Sequence, residues 1–334
     1  MSLRTLLGTA LLAFFVSAVS LPACKVAAQA KEPPTEVSIG IAAPVAPFAL
    51  AQIASDQHFW PSNVHVTWAT MSPSTIVSSL VTGRVQLVIG APPQYDVGAF
   101  NANAPLQWIA QWQDPADFEM IARPGISTLA DLKGKVIATT AVGSSTAILA
   151  EMGLQRAGLK IDDFKILPMG DVGSEIAAVA SGAASSLVLP ASSVEPLLAQ
   201  IPGSKIVYDF YGKKIPWIGA GVIGYKPWLE KNPAAVIAVL SALNKALNLV
   251  HSNPALAQPS VTKFVGSPSP AAADTQFKYL LERTTSGLKP VSLKTLESIY
   301  TAVRAASNGS GPTAEFAKTA YNNTYLQKML ATSR

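Results

Sequence analysis

Gly143-Ser144-Ser145-Thr146 puts three hydroxyls at the start of a segment whose Ile148, Leu149 and Met152 share one helical face. The first backbone N–H groups of a helix have no partner inside it, and its dipole favours negative charge there. A carboxylate, sulfonate or nitrate oxygen suits this corner, although the same residues would also serve as an ordinary N-cap. Other candidate ligand contacts lie in loops of similar character. They are Pro44 and Val45 within Ala43–Ala46, Ser72 at a helix start, Ala91 with Pro92 and Gln94, and Ala191 with Ser192 after Pro190. Asp171, just after a strand, either caps a helix or accepts a hydrogen bond from ligand. Trp112 and Trp217 either stack on a ligand body or belong to the core. No Arg or Lys sits in these loops, so a strongly charged dianion would lose water without adequate compensation. The expected ligand is a small organic molecule with one acidic group and an apolar or aromatic body.

Signals for other chemistry fail on their context. Gly219-Ala220-Gly221-Val222-Ile223-Gly224 spells a dinucleotide fingerprint but lies inside an expected strand and runs into Tyr225-Lys226-Pro227. GxSxG, Walker and HExxH patterns are absent from the sequence, and no catalytic residue is assigned. His58, His65 and His251 are scattered, and there is one cysteine, so neither a metal site nor a cofactor is expected. Aromatics make up 7% of the chain and no basic run exists, which argues against a nucleic-acid partner.

The 334 residues are 49% hydrophobic and 13% charged, with formal net charge +5. Such a chain is expected to fold, and its length suggests about two domains. Residues 1–30 read as a secretory signal: Arg4, an uncharged apolar run from Leu6 to Val19, and a small-x-small site at Ala28-Gln29-Ala30. Leu21-Pro22-Ala23-Cys24 offers the alternative of a lipid-anchored Cys24. Cleavage after Ala30 removes Arg4 and Lys25 and takes the formal charge from +5 to +3. No later stretch is read as a membrane span.

The elements that would position these loops follow a repeated grammar. Glu36–Ala42, Val64–Thr70 and Val85–Gly90 are expected strands, with helices over Pro47–Gln57 and from Ser72 to Gly83 between them. Val136–Thr139, Phe164–Leu167 and Ser186–Leu189 repeat the scheme, with one helix capped by Ser144 or Ser145 and running to Ala157 and another over Ser174–Ser181. Ser78–Pro92 and Ala177–Ala191 read alike at an offset of 99 residues, as two related lobes would; any two strand–helix units share some of this likeness. Asp117–Pro124 and Lys205–Tyr211 are β-like stretches between the halves, and Ile215–Tyr225 is another strand. Helices follow at Pro233–Ser252, Pro254–Phe264, Pro270–Ser286, Ser292–Ser307 and Thr313–Asn322. The expected fold is α/β with two lobes, each a mostly parallel sheet flanked by helices, joined by two crossing segments. Lobe 1 takes residues 31–120 plus 213–334, and lobe 2 takes 121–212. A cleft between strand ends is where such sheets hold ligands.

Four segments carry a family likeness: Leu80–Gly90, Ile126–Val136, Ala141–Gly153 and Leu229–Ala257. With them the chain resembles the periplasmic substrate-binding proteins of ABC importers, within the group for sulfonates, taurine, nitrate and thiamine-pyrimidine precursors. It departs from that group at Gln86 and at Ser185 or Ser186, where relatives usually carry an acid. It also lacks the cysteine-rich motif of the fungal pyrimidine-synthesising enzymes of the same fold. The resemblance implies a type II periplasmic binding fold, no enzymatic activity, a periplasmic location, an ABC permease as partner and a monomer that closes on its ligand. Two other readings are a ligand-sensing adaptor for a membrane receptor and an exported enzyme on the same fold.

Overall fold

The computed structural model describes residues 33–91, 94–266, 269–307 and 309–332. The expected signal segment, Cys24 and Pro92 lie outside the described residues.

The chain opens with β1 (Thr35–Ile41), α1 (Leu50–Asp56), β2 (Val64–Thr70), α2 (Ile76–Val81), β3 (Leu87–Gly90), α3 (Gln94–Asn101) and β4 (Leu106–Gln113). There follow β5 (Phe118–Ala122), β6 (Val136–Thr139), α4 (Ser145–Arg156), β7 (Lys165–Pro168), α5 (Val172–Ser181), β8 (Ser186–Pro190), α6 (Val194–Gln200) and β9 (Lys205–Asp209). The chain then forms β10 (Ala220–Tyr225) and a helical tail: α7 (Lys226–Lys231), α8 (Pro233–Ser252), α9 (Pro254–Val265), α10 (Pro270–Arg283), α11 (Leu293–Ala306), α12 (Ala314–Thr319) and α13 (Thr324–Thr332).

Two five-stranded sheets result, with orders β2-β1-β3-β10-β4 and β7-β6-β8-β5-β9. In the first, β1 pairs in parallel with β2, Thr35 opposite Val64, and with β3, Ile39 opposite Leu87. In the second, β6 pairs in parallel with β7, Val136 opposite Lys165, and with β8, Ile137 opposite Ser186. The repeat legible in the sequence is therefore a repeat of topology. Each sheet is mixed rather than mostly parallel throughout, because the strand that arrives from the other half enters antiparallel. β10 does so between β3 and β4, and β5 between β8 and β9. The fold is α/β, two mixed five-stranded sheets flanked by helices.

Local chemistry explains most element ends. Ser144 caps α4 by accepting the Ala147 N–H at 3.2 Å, and Asp171 caps α5 by accepting the Ser174 N–H at 2.9 Å. Gly182 closes α5 in the left-handed region at φ 82°, which a side chain would resist. The expected cap at Ser72 does not form: α2 begins at Ile76 with Thr75 before it, and Ser72 is exposed, its hydroxyl 2.9 Å from that of Ser74.

β4 is the strand the sequence reading passed over. All eight of its residues are buried, including Gln107, Gln111 and Gln113. Those glutamines break the apolar pattern, yet each amide donates. Gln107 donates to the Thr319 carbonyl at 3.1 Å, Gln111 to that of Pro290 at 3.0 Å, and Gln113 to Asp117 at 2.9 Å. The tail also hydrogen-bonds the outer backbone of β4, with Trp108 N–H donating to Ala320 O at 2.9 Å and Lys289 N–H to Gln111 O at 2.7 Å. An open sheet edge is thereby covered. By length and composition α8 could cross a membrane, contrary to the sequence expectation. Instead it packs against α1, α9 and α13, with Val236, Leu240, Leu243 and Leu247 among its buried residues.

Asp96 on α3 is buried beneath this sheet, where its Oδ1 accepts the Trp108 indole N–H at 2.8 Å. Burial pushes its carboxyl up to about 7, with the indole N–H opposing. A carboxyl raised on folding contributes stability below its unfolded value and loses it as pH rises through the folded one. The Asp96→Asn variant should therefore gain stability relative to wild type as pH rises from about 4 to about 7, with no further gain above. Urea unfolding at several pH values reads the difference; a pH-independent gap contradicts it.

Candidate functional site

A cavity of about 150 Å³ opens between the two sheets. Ala42 and Ala43 enter from the end of β1, and Ala91 from the end of β3. Gln94 and Tyr95 come from the start of α3, and Val45, Pro47 and Phe48 from the turn after β1. Thr140, Ser145, Thr146 and Val172 close the opposite side from the starts of α4 and α5. Gln113, Asp117, Phe118 and Gly219 come from the two crossings. The wall is mostly apolar, and among the described lining residues Asp117 alone is formally charged.

The α4 corner is built from hydroxyls. Gly143 adopts φ +71°, which turns the chain into the helix and leaves its own surroundings open. Thr146 Oγ1 accepts the Thr140 N–H at 3.0 Å and lies 3.1 Å from Thr140 Oγ1 and 2.9 Å from Ser144 Oγ. Ser144 is buried and occupied as the cap, so Ser145 and Thr146 are the residues of this motif that reach the cavity.

The structure brings Val45, Ala91, Gln94, Ser145 and Thr146 of the expected set around one cavity. It places the others elsewhere. Pro44 is exposed beside Val45, Gly143 is half-buried at the helix start, and Ser72 is exposed. Ala191 and Ser192 are buried in the turn after Pro190. Asp171 takes the capping alternative, with both oxygens engaged by Ser174 and its carboxyl held below the usual range by that backbone N–H. Trp112 and Trp217 are 0% exposed and are not among the residues lining the cavity. Trp112 instead donates its indole N–H to the Pro47 carbonyl at 2.8 Å, which fixes the turn that presents Pro47 and Phe48.

Sequence reasoning missed Asp117 and its partner. Asp117 Oδ1 accepts from Arg283 Nη1 at 2.6 Å and Oδ2 from Gln113. Burial raises the Asp117 carboxyl, opposed by the Arg283 charge. Glu119 lies 3.7 Å from Arg283 Nη2 and is pushed by burial up to about 7. The guanidinium also sits 4.5 Å from the Tyr211 ring and 4.6 Å from that of Tyr279. A carboxylate at the end of the first crossing was visible in the sequence. An arginine 166 residues further on had no local signal to join it.

Residues 57–257 match the model of the NMT1/THI5-like family, more than half of the chain. The chain belongs to that family. Relatives from Brucella abortus, Brucella suis and Brucella melitensis, each named only provisionally as a binding protein, are 26% identical over 149 residues. That stretch is 44% of this chain and 46% of each relative, so the match spans just under half of their length. The periplasmic aliphatic sulphonate binding protein SsuA from Escherichia coli superposes with TM-score 0.68 at 22% identity, over 86% of this chain and 92% of that one. The periplasmic nitrate-binding protein NrtA from Synechocystis gives 0.67 at 13%, over 90% and 89%. The desulfurization enzyme DSZB gives 0.63 at 14%, over 89% and 100%. At these identities the structures speak for the fold alone.

Arg283→Met leaves Asp117 and Glu119 buried without their cation. Its expected cost is about 3 kcal/mol at neutral pH, shrinking towards pH 5 as the carboxyls take up protons. Urea unfolding at both pH values measures it, and an equal cost at both would show that the charge pairing is not what stabilises the crossing.

Proposed function

We propose that this protein is a periplasmic solute-binding component of an ABC import system, one that carries a small organic anion to a membrane permease. The observation that carries the reading is the cavity itself. It lies between two sheets of like topology and has an apolar wall, with the N-terminus of a twelve-residue helix at one corner. In this reading residues 31–120 plus 213–334 and residues 121–212 are two lobes that swing about the crossings, and ligand stabilises the closed state by binding it better. Family membership and the fold shared with sulfonate- and nitrate-binding proteins support it.

The ligand places an acid oxygen at Ser145 and Thr146 and an apolar body against Phe48, Phe118, Val45 and Val172. A cavity of this volume suits a body about the size of benzene. Binding rather than turnover fits the wall: among the described lining residues there is no histidine, cysteine or lysine to act as base or nucleophile.

A thermal-shift and calorimetric screen of alkanesulfonates, carboxylates and nitrate tests the reading, with a raised melting temperature expected for at least one class. Ser145→Ala with Ser144→Ala should weaken that ligand about tenfold. Phe118→Ala should weaken longer-chain members more than the shortest one. Failure of every anion to shift melting overturns the assignment, and unchanged affinity in the serine variant moves the acidic group elsewhere.

A further inference from the structure

Behind the α4 corner lies a carboxyl that the reading above does not use. Glu175, in the first turn of α5, is 0% exposed. Its Oε1 is 3.3 Å from Thr146 Oγ1, and its Oε2 is buried with no hydrogen-bond partner. Among the described residues none of the ion pairs includes it. The elements around it bring no cation into an ion pair with it. β6 and β8 carry no ionisable side chain, α5 itself adds only the Asp171 carboxylate, and α4 carries Glu151 and Arg156 one turn and more beyond Thr146. An ionised carboxylate so placed would be an isolated anion with an orphaned oxygen, whereas a neutral acid leaves only an orphaned carbonyl oxygen, a far smaller penalty.

We propose that Glu175 is a positioning residue that works as a neutral carboxylic acid, donating its proton to Thr146 Oγ1 and so turning the Thr146 and Thr140 hydroxyls outward as donors to an anionic ligand. Thr146 has one proton. If Glu175 were a carboxylate it would claim that proton, and the corner would offer lone pairs to the anion. With the proton on Glu175, the Thr146 hydroxyl is released towards Thr140, Ser144 and the cavity, and Thr140 and Thr146 both line that cavity. The ligand anion and the Glu175 proton therefore bind as a pair, which spares the corner a second negative charge. Burial pushes this carboxyl up to about 8, with the Thr146 hydroxyl opposing and the Asp171 charge adding to the rise. This inference rests on the reading of the cavity as an anion site.

The test is calorimetric titration of the protein with 1-butanesulfonate between about pH 6 and pH 9, for wild type and for Glu175→Gln, which keeps the shape and neutrality of the acid. Wild-type affinity should hold to about pH 8 and then fall about tenfold per pH unit as one linked proton is lost. Glu175→Gln should bind within about threefold of wild type at neutral pH and show a flat profile. Glu119 and Glu151, both pushed up to about 7 by burial, are unchanged in the variant, so the comparison isolates Glu175. Binding with a flat wild-type profile, or a variant that keeps the fall, overturns the role of Glu175 and leaves the anion site standing. No binding at any pH in either protein overturns the anion site and this proposal with it.

Discussion

Where the chain passes from the first sheet into the second, two buried acids sit close together with a third, half-buried, beside them. Asp117 ends the crossing, Glu119 sits two residues on in β5, and Asp209 stands directly opposite Glu119 on β9. Like charges opposed across an antiparallel pair destabilise it, and burial raises the stakes. One guanidinium answers the two buried ones. Arg283, at the end of α10, reaches back with its charge flanked by two tyrosine rings. The tail therefore does more than cover the first sheet: it supplies the countercharge that pairs Asp117 and Glu119 at the crossing. α10 also touches the turn at Ala191–Ser193, and α11 packs on α4, so the tail meets elements of both sheets.

That pairing decides what the cavity can be. Asp117 faces the ligand space already neutralised, with both oxygens engaged, so it presents little net field. The rest of the wall is aliphatic, aromatic, amide or hydroxyl. A charge-on-charge grip would cost the desolvation of a cation on each opening and closing; helix-end N–H groups and hydroxyls cost less to desolvate and still favour an anion. The tryptophans contribute from behind. Trp112 holds the Pro47 carbonyl and Trp108 holds Asp96, so large rings fix the backbone that carries smaller lining residues. Gly219 is small for a comparable reason, since a Cβ there would come within 2.6 Å of Gln113 Oε1.

Much of the fold was legible because it is local. Alternation in Val64–Thr70 and a cap at Ser144 or Ser145 are written within a few residues, and the structure has the strand there and Ser144 as the cap; Asp171, readable as a cap or a ligand contact, is a cap. β4 was not legible because two of its three glutamines, Gln107 and Gln111, are satisfied by carbonyls more than 175 residues away, and only the folded tail makes them core residues. Short α3, α6, α7 and α13 lacked start and stop signals of comparable strength. For the cavity, the motif at Ser145 and Thr146 and the small-residue loops were readable. The phenylalanines, Asp117 and Glu175 were not, since nothing in a one-dimensional pattern says which apolar residue faces a void or which acid is buried without a cation.

The fold is shared by binding proteins and by a desulfurization enzyme, so architecture cannot by itself separate capture from conversion. Separation has to come from the groups that touch the ligand. Catalysis needs a base or nucleophile whose proton affinity is tuned and whose atom reaches the substrate. Of the acids whose proton affinity burial raises, Asp96, Glu119 and Glu175 sit behind the wall, and each acts on a neighbour: an indole, a guanidinium, a hydroxyl. The acid on the wall itself is locked by Arg283 and Gln113. Among the described residues, the acids around this cavity are arranged to hold other groups still.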